Sequence, residues 1–314
     1  MKCLHPVSIT NPLNYEQFKV LYPFEQFTSK IFVPCGCCPA CIVSQSNSWR
    51  IRLEEEMSVS DNCYFVTLTY NDSYLPFGSF PDSFGELHFV PYVCKRDVQL
   101  FFKRLRKALG GWKVRYFLVS EYGPTTLRPH YHFLLFNMPT FSDSYDLQIS
   151  KVCKVIDEAW SVRLDDGSLS SIGFVSVDNC NCNRIYYVTK YISMITDLPD
   201  YLPKPFRLMS KSIGQNYLLN NDRISWHRSE LANYYPKENF KMPLPRYYKD
   251  KIFDDAMKHE IKLQTYENNA KDRYNRSMDY QKRGFATVID EDHQRISKFI
   301  KRFSDKYKKH RKDI

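Results

Sequence analysis

The sequence predicts an α+β fold with helices packed on an antiparallel sheet, and three observations lead there. The first is the order of its periodic segments: helix, strand, helix, two strands, helix, strand, helix between residues 45 and 200. The second is that the strand candidates are β-branched and aromatic, whereas the helix candidates repeat their apolar residues at helical spacing. The third is composition. Apolar residues make up 43% of 314, enough for a core, and no long stretch has the make-up of a disordered chain.

Residues 1–44, rich in Pro and Cys, read as an irregular N-terminal segment. From Ser46 to about Val59, Trp49, Leu53 and Met57 share one helical face. Cys63 to Tyr70 reads as a buried strand that ends at Asn71 and Asp72. Residues 73–93 hold three prolines and two glycines and read as a long loop, with a short strand near Leu87–Val90. The clearest helix spans 95–109: Val98, Phe101, Phe102, Leu105 and Leu109 repeat at helical spacing until Gly110 and Gly111 stop it. Strands Val114–Glu121 and His130–Asn137 follow, then a helix within 147–161 and a strand at Gly173–Val177. A helix beginning near Asn183 carries Tyr186 to Met194. After about 197 the composition shifts to Pro, Tyr and Lys, and from 247 onward few prolines and many charges suit helices. Three regions result: the Cys-rich segment 1–44, a central domain 45–200, and a basic, largely helical region 201–314.

The net charge of +10 points to a polyanionic partner, and 23 Tyr with 22 Phe supply stacking surface for unpaired bases as well as core. The last twenty residues carry nine Lys/Arg against two Asp, a further source of phosphate contacts. The start lacks the apolar stretch of a signal peptide, and no run of about 18 uncharged apolar residues occurs, so a soluble protein without membrane association is expected. In a reducing cytoplasm the ten cysteines read as thiols or metal ligands before disulfides.

Two constellations carry chemistry. On a strand, His130 and His132 present both imidazoles on one face, while Tyr131, Phe133 and Leu135 enter the core from the other. Two imidazoles with a nearby carboxylate form a site for a divalent ion, and Glu121, ending the preceding strand, can lie beside them in a hairpin-like pair. On a helix, Tyr187 and Tyr191 share a face with a rise of about 6 Å, and Lys190 lies beside them. A nearby ammonium favours phenolate, the nucleophilic form. Taken singly, each pattern has a plainer reading: two histidines alternating on a solvent-facing strand, and a tyrosine stripe facing a core.

The ordered set Phe65–Thr69, Arg128–His132 and Tyr187–Tyr191 resembles the three motifs of HUH endonucleases in rolling-circle initiators. In detail it is most similar to the replication initiators of gokushoviruses, small single-stranded DNA phages of the Microviridae. Cys35 to Cys41, Trp49 to Leu53 and Ser120 to Gly123 extend the resemblance, which covers roughly residues 1–200. It implies a palm-like antiparallel sheet with the histidines on a central strand and the tyrosine helix packed nearby. It further implies His130, His132 and Glu121 as ligands of Mg²⁺ or Mn²⁺, Tyr187 and Tyr191 as nucleophiles, and Lys190 as an auxiliary cation. The activity implied is site-specific nicking and strand transfer through a 5′-phosphotyrosyl intermediate, with a free 3′-OH for the host polymerase and later resealing of the circle. The partners implied are a single-stranded or supercoiled circular origin and the host replication helicase and polymerase, in the cytoplasm of an infected bacterium. One departure is Met194, at a position where the family often has a second lysine. A relaxase or transposase of the same chemistry and a non-catalytic, zinc-stabilised single-stranded DNA-binding protein are the alternatives.

The cysteines pose a separate question. Cys35, Cys38 and Cys41 stand at two-residue spacings, and Cys3 offers a fourth thiolate for a structural Zn²⁺ site; free thiols remain the alternative, and Cys180 and Cys182 are competing ligands. His88 reads as a plain strand residue.

Overall fold

The computed structural model describes residues 3–21, 26–191, 198–237, 239–280 and 282–310. The chain divides into two compact units, one of residues 49–216 and one combining 1–48 with 217–314. The chain opens with β1 (Val7–Thr10), α1 (Tyr15–Leu21), β2 (Lys30–Val33) and α2 (Pro39–Ser58). Next come β3 (Cys63–Thr69), β4 (Phe77–Pro81), β5 (Leu87–Pro91), α3 (Lys95–Ala108), β6 (Arg115–Tyr122) and β7 (Pro129–Phe136). Then follow α4 (Tyr145–Ala159), β8 (Ser161–Arg163), β9 (Leu169–Ser171), β10 (Val175–Asn179), α5 (Cys182–Tyr191) and β11 (Arg207–Met209). The remainder is α6 (Asn221–Ser229), β12 (Tyr234–Lys237), β13 (Phe240–Pro243), α7 (Arg246–Ile252), α8 (Asp255–Asp279) and α9 (Val288–His310).

The unit of residues 49–216 is built on one sheet of order β10-β3-β7-β6-β11, every neighbouring pair antiparallel. The α+β class expected from the sequence holds, and β7, with both histidines, is the central strand. One face is closed by α3 and α4. Tyr131, Phe133 and Leu135 of β7 meet Val66 and Leu68 of β3, Val98, Phe101 and Leu105 of α3, and Val152 and Ile156 of α4. Each such side chain, fully buried, contributes about 1.5–3 kcal/mol. The amphipathic period of α3 is what turns that stripe inward; Arg106 and Lys107 suit its C-terminal dipole, and Gly110 (φ 58°) and Gly111 (φ 90°) end it. The opposite face is covered over part of its length by Leu53 of α2 and Ile185 and Val188 of α5, packed on Phe65, Phe117, Leu134 and Phe136.

Three segments differ from the sequence reading. Residues 73–93 hold a paired β4–β5 hairpin in place of a long loop. Asp82 Oδ1 accepts the Phe84 and Glu86 amides, and Gly85 takes φ 88°, so a tight turn forms where prolines and glycines suggested none. Residues 1–44 are not wholly irregular, because β1 pairs with β2 and α2 begins at Pro39, a residue suited to a first helical turn. The strand placed at Gly173–Val177 lies at 175–179: a Cβ on Gly173 would stand 2.0 Å from the Thr69 carbonyl oxygen, so that glycine is a point of close backbone approach.

Candidate active site

Register decides which side chains meet. His130 lies opposite Thr69 on β3 and Glu121 on β6, and His132 opposite Thr67 and Val119. The Glu121 carboxylate reaches His132 Nε2 at 3.1 Å, and Thr67 Oγ1 stands 3.0 Å from His132 Nδ1. The two imidazoles are parallel, with centroids 6.3 Å apart. Phe65 stacks on His132 at 5.8 Å, and the Arg184 guanidinium lies 4.7 Å over the Phe65 ring. His132 and Glu121 are each only 8% exposed, so their charges interact through protein and little water. Burial first, then the neighbouring His132 and Arg128, holds the His130 imidazole below its ordinary pKa, against an upward pull from Glu121.

The tyrosine helix borders this group. Ile185 and Val188 seat α5 on the sheet, and that seating brings the Tyr187 ring edge-on to both His132 (5.5 Å) and Phe65 (5.6 Å). Lys190 is buried in the same helix. Tyr191 ends α5; its side chain, and Met194, lie outside the described residues. The structure thus gathers Glu121, His130, His132 and Tyr187 into one region.

Two imidazoles and a carboxylate are a donor set that fits a divalent cation with open positions. Gly123 leaves room beside it, since a Cβ there would approach His130 Nε2 to 3.2 Å. Among the described residues, the groups with all ligand atoms within 4.8 Å are the four cysteines Cys3, Cys35, Cys38 and Cys41, and Asp82 with Glu86 and His88. His130 is therefore the outlying member of its set, while His132 and Glu121 already touch. His88 stands 3.3 Å from Asp82 and stacks on Tyr201 at 4.1 Å; Asp82 also closes the hairpin turn, which explains this grouping structurally.

Thr67 is the residue that sequence reasoning missed. With His132 Nε2 reserved for a cation, Nδ1 carries the proton and donates to Thr67 Oγ1; otherwise the hydroxyl donates to Nδ1. A hydroxyl serves either tautomer, and the signal for it was the alternation Phe65, Thr67, Thr69 on one face of β3. Arg128, part of the histidine motif, holds the β6–β7 turn by donating to Asp72 (2.6 Å) and the Tyr70 carbonyl (2.9 Å).

The stretch that builds this group, with the tyrosine helix against its sheet, is also where known proteins align. Residues 63–195, β3 through α5 and slightly beyond, match the family of the replication-associated protein ORF2. Over most of its length the chain is similar to the replication-associated protein ORF2 of Spiroplasma virus 4, with 26% identity over 87% of this chain and 85% of the relative. It is similar also to the replication-associated protein VP4 of Bdellovibrio phage phiMH2K, with 24% identity over 80% and 76%, and to replication-associated protein ORF4 of Chlamydia phage 1, with 21% over 69% and 53%. The resemblance to phage rolling-circle initiators, read from the motifs, is borne out by these relatives. No solved structure matches the chain.

Proposed function

We propose that this protein is a rolling-circle replication initiator that nicks single-stranded DNA and stays joined to the 5′ end through tyrosine. The observation that carries this reading is the Tyr187 ring standing 5.5 Å from His132, itself paired with Glu121, which sets a nucleophile beside a cation-binding donor set. Mg²⁺ or Mn²⁺ held by His130, His132 and Glu121 would neutralise charge on the scissile phosphate. The chain's own part is positional. Phe65 and Thr67 fix the His132 ring, and α5 fixes Tyr187 against it. The Tyr187 oxygen attacks phosphorus, a tyrosyl O–P bond forms, and the P–O3′ bond breaks. The phenol gives up its proton and the 3′ oxygen takes one up, so no water is consumed and a later 3′-OH can reverse the ester. Tyr191, one helical turn on, provides a second acceptor for the next round. Lys190 serves as the nearby cation that favours phenolate.

The relatives' names support a role in phage DNA replication, with a circular origin as substrate and the host helicase and polymerase acting on the freed 3′-OH in the infected cell. No helix among the described residues is long and apolar enough to cross a membrane. In the other unit, the four clustered cysteines suit Zn²⁺, serving folding and not the reaction. The test of two nucleophiles is to change Tyr187 and Tyr191 separately to Phe and follow successive nick-and-join rounds on a circular template. Each variant is expected to stop after a single transfer; a variant that continues through repeated rounds would refute the two-tyrosine scheme.

A further inference from the structure

The cysteine cluster carries a conclusion that rests on the Zn²⁺ reading and extends it to the basic C-terminal helix. The Sγ atoms of Cys3 and Cys35 are 3.5 Å apart, those of Cys3 and Cys38 3.8 Å, and those of Cys35 and Cys41 4.0 Å. Four thiolates held tetrahedrally by Zn²⁺ at about 2.3 Å stand about 3.8 Å apart, so the observed spacing suits the ion. Backbone amides already point at the sulfurs: Leu4 N–H at Cys38 (3.4 Å), Cys35 N–H at Cys3 (3.3 Å) and Cys38 N–H at Cys35 (3.3 Å). Such N–H···S bonds favour the thiolate form that a metal needs. Gly36, at φ 79°, makes the turn between Cys35 and Cys38, and Cys37 within that turn is exposed and outside the cluster.

What the cluster supports is α9. Phe299 of that helix packs with Leu4 on Cys38, Ala40 and Cys41. Cys3, Leu4 and His5 also line a groove with Ile296 and Ile300 of α9. The first turn of α9 has another tether, since Glu291 pairs with Arg276 (3.3 Å) and Arg283 (2.7 Å) at the end of α8 and the turn beyond it. Among the described residues no comparable ion pair holds the stretch around Phe299, which carries Lys298, Lys301 and Arg302. Its seat is the platform that Cys3 and Leu4 form with the start of α2.

We infer that Zn²⁺ bound by Cys3, Cys35, Cys38 and Cys41 is the anchor that seats the middle of α9. The metal ties a segment 32 residues upstream of Cys35 onto the α2 start, and Phe299 docks on the joined surface. Without the metal, Cys3 and Leu4 are released and the docking surface is lost.

The experiment uses the full chain. Zinc per chain is measured by atomic absorption on protein purified without added metal, and backbone hydrogen exchange is compared before and after stripping with a strong chelator. One zinc per chain is expected, with exchange at residues 296–303 at least tenfold faster after stripping and protection restored by adding Zn²⁺ alone. C37S is expected to keep the metal and the protection. F299A is expected to keep one zinc yet show the fast exchange of the stripped protein, and it serves where C41S fails to fold. Absence of zinc from protein grown with ample zinc overturns the metal site. One tightly held zinc with equal α9 exchange in holo, stripped and F299A protein leaves the metal site standing and overturns the anchor.

Discussion

Strand β7 presents two chemistries from a single run of eight residues, and the two faces of its sheet differ in what happens to their polar groups. On the face under α3 and α4, the one polar atom β7 contributes is the Tyr131 hydroxyl. It accepts the Cys94 amide (2.8 Å) and bonds Tyr70 (3.1 Å), whose own hydroxyl donates to Asp97. Every partner there is structural, and burial pushes both phenols well above their ordinary pKa. On the α5 face, His132 meets a carboxylate, a hydroxyl and an aromatic ring edge, groups that can exchange partners with a ligand. The lesson is that alternation alone divides the strand into a face that holds the fold and a face that holds the reaction. A tyrosine is inert on the first and poised on the second.

That division can be broken by substitution. Changing Tyr187 and Tyr191 together to Phe removes both phenols and is expected to lower cleavage by roughly 10³-fold or more with little change in melting temperature. On the closed face, Phe101→Ala leaves a cavity in the α3 layer and should cost about 3–5 kcal/mol in chemical denaturation, with cleavage per folded molecule unchanged. Thr67→Val deletes the hydroxyl that steadies His132 and should reduce cleavage about 10–100-fold, and Thr67→Ser should recover most of it. If Thr67→Ser is as poor as Thr67→Val, the hydroxyl is not what matters there. Tyr131→Phe strands the Cys94 amide and should cost about 1–2 kcal/mol of stability while leaving cleavage intact.

The smallest effect is on pH. The folded His130 imidazole sits below its ordinary pKa of 6.5, so just below that pH the unfolded chain binds the extra proton and the folded chain does not. Stability from this group is present above about pH 6.5 and is lost as pH falls through that value toward the folded pKa. His227 acts in the same direction in the other unit, where its ring is buried between the Tyr217 hydroxyl and the Ala232 carbonyl. Denaturation midpoints in chelator between about pH 7 and 5 should therefore fall with pH, less steeply for His130→Gln. An unchanged slope in that variant would contradict the assignment.

Much of this was legible locally. The period of Val98, Phe101, Phe102 and Leu105 marked α3, and the alternation of β7 placed its histidines and its core residues on opposite faces. Glu121 was found because a short turn between β6 and β7 fixes their register. Thr67 was not, because its meeting with His132 depends on β3 lying beside β7 across more than sixty intervening residues, which no local pattern encodes. The β4–β5 hairpin was read as a loop because Pro76, Pro81 and Pro91 mask its pairing; two of them are strand-terminal residues, where a missing amide costs little. The seating of Phe299 on the N-terminal cysteines joins opposite ends of the chain and is invisible to any window along it.

The central claim is that a tyrosine on α5 becomes covalently joined to DNA. Protein with Mn²⁺ and single-stranded DNA bearing the origin, run on a denaturing gel, should yield an adduct. Digestion and mass spectrometry should then place a 5′-phosphonucleotide on Tyr187 or Tyr191, and the Tyr187→Phe, Tyr191→Phe double variant should yield none. Cleavage without any adduct, or an adduct mapped to a tyrosine outside α5, would contradict the account.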